Sequence, residues 1–226
     1  CLGSVGASGV QSVLESVGTV LSASATVPYS YDGTYEDLYY EVTDAGEIEI
    51  IGCDVDATSV EIPTEIDGKS VTSIGYGAFS NCTGLTKITI QSGVTELEEA
   101  AFRDCVNLKE VEIPNSVTRI FANVFNGCTS LEKVIIPDSV TEIMYDVFGG
   151  CTSLKEITIP DSITDISSGL FIDCTSLTKV VLPSNITKID DLTFSGCTNL
   201  SDITIPDGVT SIGAAAFERC AGLSNI

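Results

Sequence analysis

Cysteine is the residue type in this 226-residue chain best suited to chemistry, and seven of its nine cysteines keep strict time. Cys82, Cys105, Cys128, Cys151, Cys174, Cys197 and Cys220 are each 23 residues apart. Thiols can cross-link, bind metal or attack as nucleophiles, and each of these chemistries meets an obstacle here. Equivalent positions of a stacked repeat point the same way, so their Cβ atoms run parallel instead of facing each other at roughly 3.5–4.5 Å. The spacing is no zinc pattern, and the chain holds no histidine. Without histidine, a nucleophilic thiol also lacks its usual activator. The cysteines are therefore expected to be free, buried, and to act as small hydrophobes with weak donors. No catalytic residue, no cofactor and no metal site is expected. Asp54 and Asp56 form a single Asp-x-Asp pair, read as a solvated turn in preference to a calcium ligand set.

The period that carries the cysteines carries everything else, which is the mark of a repeat architecture. With Cys as position 1, position 4 is Leu from Leu85 to Leu223, and position 7 is Ile or Val. Position 9 is Ile or Leu from Ile90 to Ile205, and position 14 is Thr from Thr95 to Thr210. Position 21 is Phe from Phe102 to Phe217. Six complete repeats span 82–219. A divergent one precedes them, with Val60-Glu61-Ile62-Pro63 and Ala78-Phe79 in phase and five extra residues around Asp67-Gly68-Lys69.

Each repeat has to position its residues by stacking. Positions 7 and 9 point inward and positions 6 and 8 outward, the period of a strand. Leu at position 4 breaks that parity and belongs to the turn before the strand. Pro at position 10 removes a donor and turns the chain. The Val-Thr-x-Ile segment that follows reads as a second short strand, and a further turn drives the Phe ring into the core. Burying one aliphatic side chain is worth roughly 1.5–3 kcal/mol, and ordering one residue costs roughly 1–2 kcal/mol. One repeat has too few buried side chains to fold alone, and stacked neighbours supply the rest.

The segment Cys128 to Gly150, CTSLEKVIIPDSVTEIMYDVFGG, resembles the BspA-type leucine-rich repeat family of bacterial surface proteins. The likeness covers roughly residues 57–226. It implies a right-handed, mainly β solenoid of 23-residue units, with a parallel sheet and short turns on the far side. In the commoner leucine-rich repeat Cys or Asn follows the strand, whereas here Cys precedes Leu by three. The resemblance also implies adhesion to a protein ligand such as a host or neighbouring-cell surface protein.

Charge narrows the function. Ten Lys+Arg stand against 32 Asp+Glu, a net charge of −22, which repels the phosphate backbone and argues against nucleic acid as a partner. No run of 18 apolar residues occurs to span a membrane. On the strand face, position 6 alternates in sign: Lys87, Glu110, Lys133, Glu156, Lys179, Asp202. Position 15 nearly repeats this, as Glu96, Arg119, Glu142, Asp165, Lys188. Such ladders fix register by pairing neighbours about 4.8 Å apart, or they form a charged binding stripe. Position 8 adds Glu112, Ile135, Thr158, Val181 and Thr204, a mildly apolar strip. The candidate partner-binding residues are Glu112, Lys133, Ile135, Glu156, Thr158, Lys179, Val181 and Thr204. Plain β-propensity is the competing account of the apolar ones. Phe121, Met144 and Tyr145 form a second candidate patch.

The ends differ from the repeats. Residues 1–27 hold no Lys or Arg, and Ala23-Ser24-Ala25 resembles a signal-peptidase site. This segment reads as an export-signal remnant or as an amphipathic helix with a capping box at Ser12-x-x-Glu15. Cys1 is a candidate lipid anchor. Residues 28–58 hold five of the seven tyrosines and read as a capping β-hairpin, Tyr35 to Val42 against Glu47 to Ile51. Residues 59–226 are the leucine-rich repeats. With Ile226 at position 7 of a repeat, the native chain is expected to continue with more repeats or another domain. The resulting expectation is a secreted or cell-surface monomer that binds protein and is not an enzyme, with a structural spacer as the alternative.

Overall fold

The computed structural model describes residues 28–224, without residues 29 and 55. The export-signal, helix and lipid-anchor readings of residues 1–27, and Ile226, lie outside the described residues. The chain enters as an antiparallel meander of β1 (Gly33–Tyr35), β2 (Leu38–Val42) and β3 (Ile48–Cys53). The expected hairpin is present, but its first strand is shorter than the Tyr35–Val42 run suggests. Glu36 adopts a left-handed φ of 50°, which breaks that run into two strands. The meander adds to the stack through its last strand, which runs parallel to β6 (Lys69–Ile74).

Between β3 and β6 the divergent repeat lays down β4 (Ser59–Ile62) and β5 (Glu65–Ile66). Its extra residues form a tight hairpin of β5 with β6. Asp67 and Gly68 occupy the turn at φ 51° and 75°, the geometry for which Asp-Gly is suited.

From there the chain alternates between two parallel ladders. It passes through β7 (Lys87–Ile90), β8 (Glu96–Leu97), β9 (Glu110–Glu112), β10 (Arg119–Ile120) and β11 (Lys133–Ile135). It continues through β12 (Glu142–Ile143), β13 (Glu156–Thr158), β14 (Lys179–Val181), β15 (Lys188–Ile189), β16 (Asp202–Ile203) and β17 (Ser211–Ile212). The front ladder holds positions 6–8: β4 with β7, β9 with β11, and β13 with β14 and β16. The rear ladder holds positions 15 and 16, running β6–β8–β10–β12, then a single bridge from Ile166 to Ile189, then β15 with β17. From β7 and β8 onward the register advances by 23 residues at each step, Arg119 opposite Glu142 and Lys179 opposite Asp202, whereas β4 to β7 spans 28 because of the inserted hairpin.

The third side of each coil contains no helix among the described residues. Its backbone divides its donors by parity. The N–H groups of Ala101, Arg103 and Cys105 close consecutive tight turns onto Glu98, Ala100 and Phe102. The N–H groups between them leave the coil: Ala100, Phe102 and Asp104 donate to Ala122, Val124 and Asn126 of the next one, at 2.9, 2.9 and 2.7 Å. No donor is wasted, as burial requires. The geometry depends on left-handed residues at positions 19 and 23, among them Ala100, Asp104, Asn123, Leu192 and Arg219.

The core inside these three sides is columnar. Phe79, Phe102, Phe125, Phe148, Phe171 and Phe194 are fully buried, and Phe217 continues the column. Successive ring centroids are 5.1–5.7 Å apart and tilted by only 6–17°. The thiols form a second column. Cys105 donates to the carbonyl of Phe79 at 3.0 Å, and the same link recurs from Cys128 to Phe102 and onward to Cys220 and Phe194. Burial pushes the Cys151 and Cys174 thiols well up, so they stay protonated and able to donate. Threonines at position 14 form a third column: Thr118 Oγ1 donates to Thr95, and Thr141 Oγ1 to Thr118.

Phe125→Ala in mid-column should cost about 3–5 kcal/mol, the range for emptying a buried aromatic site. Chemical denaturation measures the loss, and hydrogen exchange should localise it to the coils of Phe102 and Phe148. A cost under about 1 kcal/mol would show that the column does not hold the coils together.

Candidate functional site

The front ladder presents the outward side chains that sequence parity selects. Ile135 and Val181 are 46% and 43% exposed. Glu112, Lys133, Glu156, Thr158, Lys179 and Thr204 are exposed on the same face. Thr204 lies just past the end of β16. Lys133 and Ile135 line a shallow depression with Glu110 and Glu112, and another with Thr158, Lys179 and Val181. The eight residues thus lie along one surface about five coils long.

Alternating charges on this face are in register, Glu110 opposite Lys133 and Glu156 opposite Lys179. Of these neighbours only Lys179 and Asp202 close to an ion pair, at 3.0 Å. The rest spend their side chains in solvent, as exposed pairs commonly do. Position 5 is also exposed and belongs to the face, which the strand period alone does not reveal. Over positions 5, 6 and 8 of the six repeats, five lysines (87, 109, 133, 155, 179) meet five carboxylates (110, 112, 132, 156, 202). The face is neutral, and it holds half of the chain's ten cations, while the whole chain carries −22.

The rear ladder is different in kind. Arg119 is clasped between Glu142 at 2.9 Å and Glu96 at 3.4 Å, with its guanidinium 4.6 Å from the Phe121 ring centre. Phe121 and Met144 are half-buried, whereas Tyr145 is 49% exposed, so the second candidate patch is mostly packed into its own turn. Lys188 pairs with Asp190 of its own coil and not with Asp165 across the ladder. Acid accumulates on the rear ladder around β3 and β8, on either side of β6. Burial, then the nearby Glu41, raises the Glu49 carboxyl, and burial, then Glu96 and Glu49, raises that of Glu98. Asp54 accepts a 2.6 Å hydrogen bond from Tyr39 Oη, which pushes the Tyr39 phenol up to about 12. Among the described residues, no group of three or more His, Cys, Asp or Glu side chains is placed to hold a metal ion, and no helix is long and apolar enough to cross a membrane.

A model of the BspA-type leucine-rich repeat region matches six copies over residues 53–176 and 120–226. The chain belongs to that family. Among solved structures, it is similar to the leucine-rich repeat protein of T. pallidum at 31% identity and a TM-score of 0.81, covering 85% of this chain and 91% of that one. It is also similar to a leucine-rich cell surface protein of Faecalibacterium prausnitzii at 34% identity and a TM-score of 0.77. That match covers 86% of this chain but only 53% of the other, so the chain spans about half of that relative's length. Comparison with curated protein sequences gives no match. The six matched copies cover the repeats read from the sequence, including the cysteines and phenylalanines of the two buried columns.

The raised carboxyls make stability depend on pH in a fixed direction. A carboxyl whose folded pKa lies above its unfolded 4.5 adds stability that is complete below 4.5 and lost as pH rises through the folded value. Lowering the pH from about 7 to about 5 should raise the melting midpoint, and a Glu49→Gln/Glu98→Gln double variant should show a smaller rise. Equal rises in both proteins, by differential scanning fluorimetry, would assign the effect to net charge alone.

Proposed function

We propose that this chain is an extracellular or cell-surface binding module that takes a protein partner on its front strand face. Glu112, Lys133, Ile135, Glu156, Thr158, Lys179, Val181 and Thr204 would make the contact. The observation that carries this reading is the neutrality of the face, with Ile135 and Val181 open at its centre, on a chain of −22. A partner approaching any acidic side of the molecule pays in desolvated or repelled charge, and one approaching the front face does not. The alternating columns then supply donors and acceptors for register, and the two aliphatic side chains supply apolar area.

No catalytic role is assigned to any side chain. From Cys105 to Cys197 the recurring thiols are buried and committed to carbonyl groups, and no imidazole is available to activate a hydroxyl. Residues 28–58 would act as the cap of the stack and 59–226 as its binding body. Presentation at a cell surface accords with the name of the F. prausnitzii relative and with the net charge of −22. A spacer that holds another domain away from the cell is the reading left if the face binds nothing.

The test is surface-plasmon binding of the chain to a panel of extracellular-matrix and plasma proteins beside an Ile135→Lys/Val181→Lys variant. Saturable binding that weakens at least about tenfold in the variant, with a Tyr76→Ala control on another surface unchanged, supports the front face. Binding that persists in the variant moves the contact elsewhere. Failure of the folded wild-type chain to bind any panel member favours the spacer.

A further inference from the structure

The thiol column is broken at its first member. Each later cysteine donates to the phenylalanine carbonyl 26 residues before it. With the five extra residues of the divergent repeat counted, the equivalent position before Cys82 is Ile51, which belongs to β3 of the meander and not to a repeat. Cys82 instead meets Cys53 at the end of β3, with the two Sγ atoms 3.2 Å apart and both residues buried. This pair joins two different parts of the fold, the meander and the first coil, and neither thiol donates to a phenylalanine carbonyl as the later ones do.

We propose that Cys53 and Cys82 are a cross-linking site, closed as a disulfide that ties the N-terminal meander to the first coil. The sulfur atoms need to approach by only about 1.2 Å to reach bonding distance. The two residues lie on separate elements, 29 residues apart, so the bond would close a loop that includes the β5–β6 hairpin. Its consequence is specific to a solenoid: the end unit, here the meander, has only one neighbour, and a covalent tie there stops fraying from the N-terminal side.

The oxidant is a small-molecule or protein disulfide. The thiolate of one cysteine attacks a sulfur of that disulfide and forms a mixed disulfide, releasing the first thiolate. The second cysteine thiolate attacks the protein sulfur of the mixed disulfide and releases the other. Two cysteine thiols are oxidised, one disulfide is reduced to two thiols, and the two cysteine protons end on the released thiolates. In the closed fold, the hydrogen bond with Cys82 and then burial hold Cys53 in its thiol form. Exchange therefore precedes docking of the meander. Formation of the bond in the cell rests on the export proposed above, whereas the competence of the pair to form it does not.

The experiment is refolding of the whole chain from denaturant in a buffer of reduced and oxidised glutathione, then alkylation of free thiols and peptide mapping. Cleavage after Glu49 and Glu61 separates Cys53 from Cys1. The expected result is one dominant bridge, Cys53 to Cys82, with Cys105 through Cys220 alkylated. Exchange of the β2 and β3 amides should slow by about tenfold to a hundredfold on oxidation, and this gain should vanish with reductant and in Cys53→Ser. Recovery of Cys53 and Cys82 as alkylated thiols, or bridges scattered among the ladder cysteines, overturns the proposal. Neither result bears on whether the front face binds protein.

Discussion

Half of the backbone donors around each phenylalanine have no acceptor inside their own coil. The N–H groups of Phe102 and Asp104 reach Val124 and Asn126, and those of Phe125 and Gly127 reach Val147 and Gly149. A coil removed from the stack would expose these groups and one face of its ring together. This arc dictates the constancy of the 23-residue period, because one residue more or less would exchange the inward and outward donors. The divergent repeat shows where length is tolerated. Its additional residues lie at the corner after Pro63, far from the arc, and they close their own hydrogen bonds as the β5–β6 hairpin.

That constraint is satisfied at a local cost. Two residues per coil are left-handed, and Ala100, Leu192, Ala215 and Arg219 accept that conformation without the help of glycine or an Asn/Asp side chain. For an L-residue the cost is about 1–2 kcal/mol, and it is offset by three inter-coil backbone hydrogen bonds and a stacked ring. The features written in side-chain burial were legible in the sequence: the strand parity, the inward Leu of position 4, the Phe column and the exposure of Ile135 and Val181. The features written in backbone conformation were less so. Position 23 is Asn, Asp or Gly in six of seven coils, a readable signal, but position 19 holds Gly, Ala, Asn, Asp and Leu and carries none. The Asp67-Gly68 pair is a clear two-residue turn signal, but it lies in an insertion where the phase of the repeat gives no strand on either side. The break at Glu36 had no signal.

Stacking also creates an electrostatic difficulty. Identical repeats place identical charges in columns about 4.8 Å apart, so a faithful copy of any charged residue builds a line of like charge. Position 6 avoids this by changing sign at each step, and Arg119 avoids it on the rear ladder by standing between Glu96 and Glu142. That few of these neighbours close to ion pairs is consistent with their chief contribution being the absence of repulsion, since exposed pairs add little attraction. Around Glu49 and Glu98, burial first and neighbouring carboxylates second make the carboxyls retain protons more strongly than they do in water.

The same reasoning separates the front face from the rest of the surface. The face was partly legible: parity selected positions 6 and 8, but position 5 precedes the strand, and its lysines complete the balance. Lys109 and Lys155 of position 5 flank Glu132, a second alternating column offset by one repeat from Lys133 and Glu156 of position 6. Two alternating columns out of phase make a checkerboard, whose potential cancels within about one Debye length. Long-range attraction from such a surface is weak, so association would not be steered by charge, and selectivity would rest on short-range fit around Ile135 and Val181. Changes at those two side chains would then act mainly on dissociation, and added salt would change the affinity little.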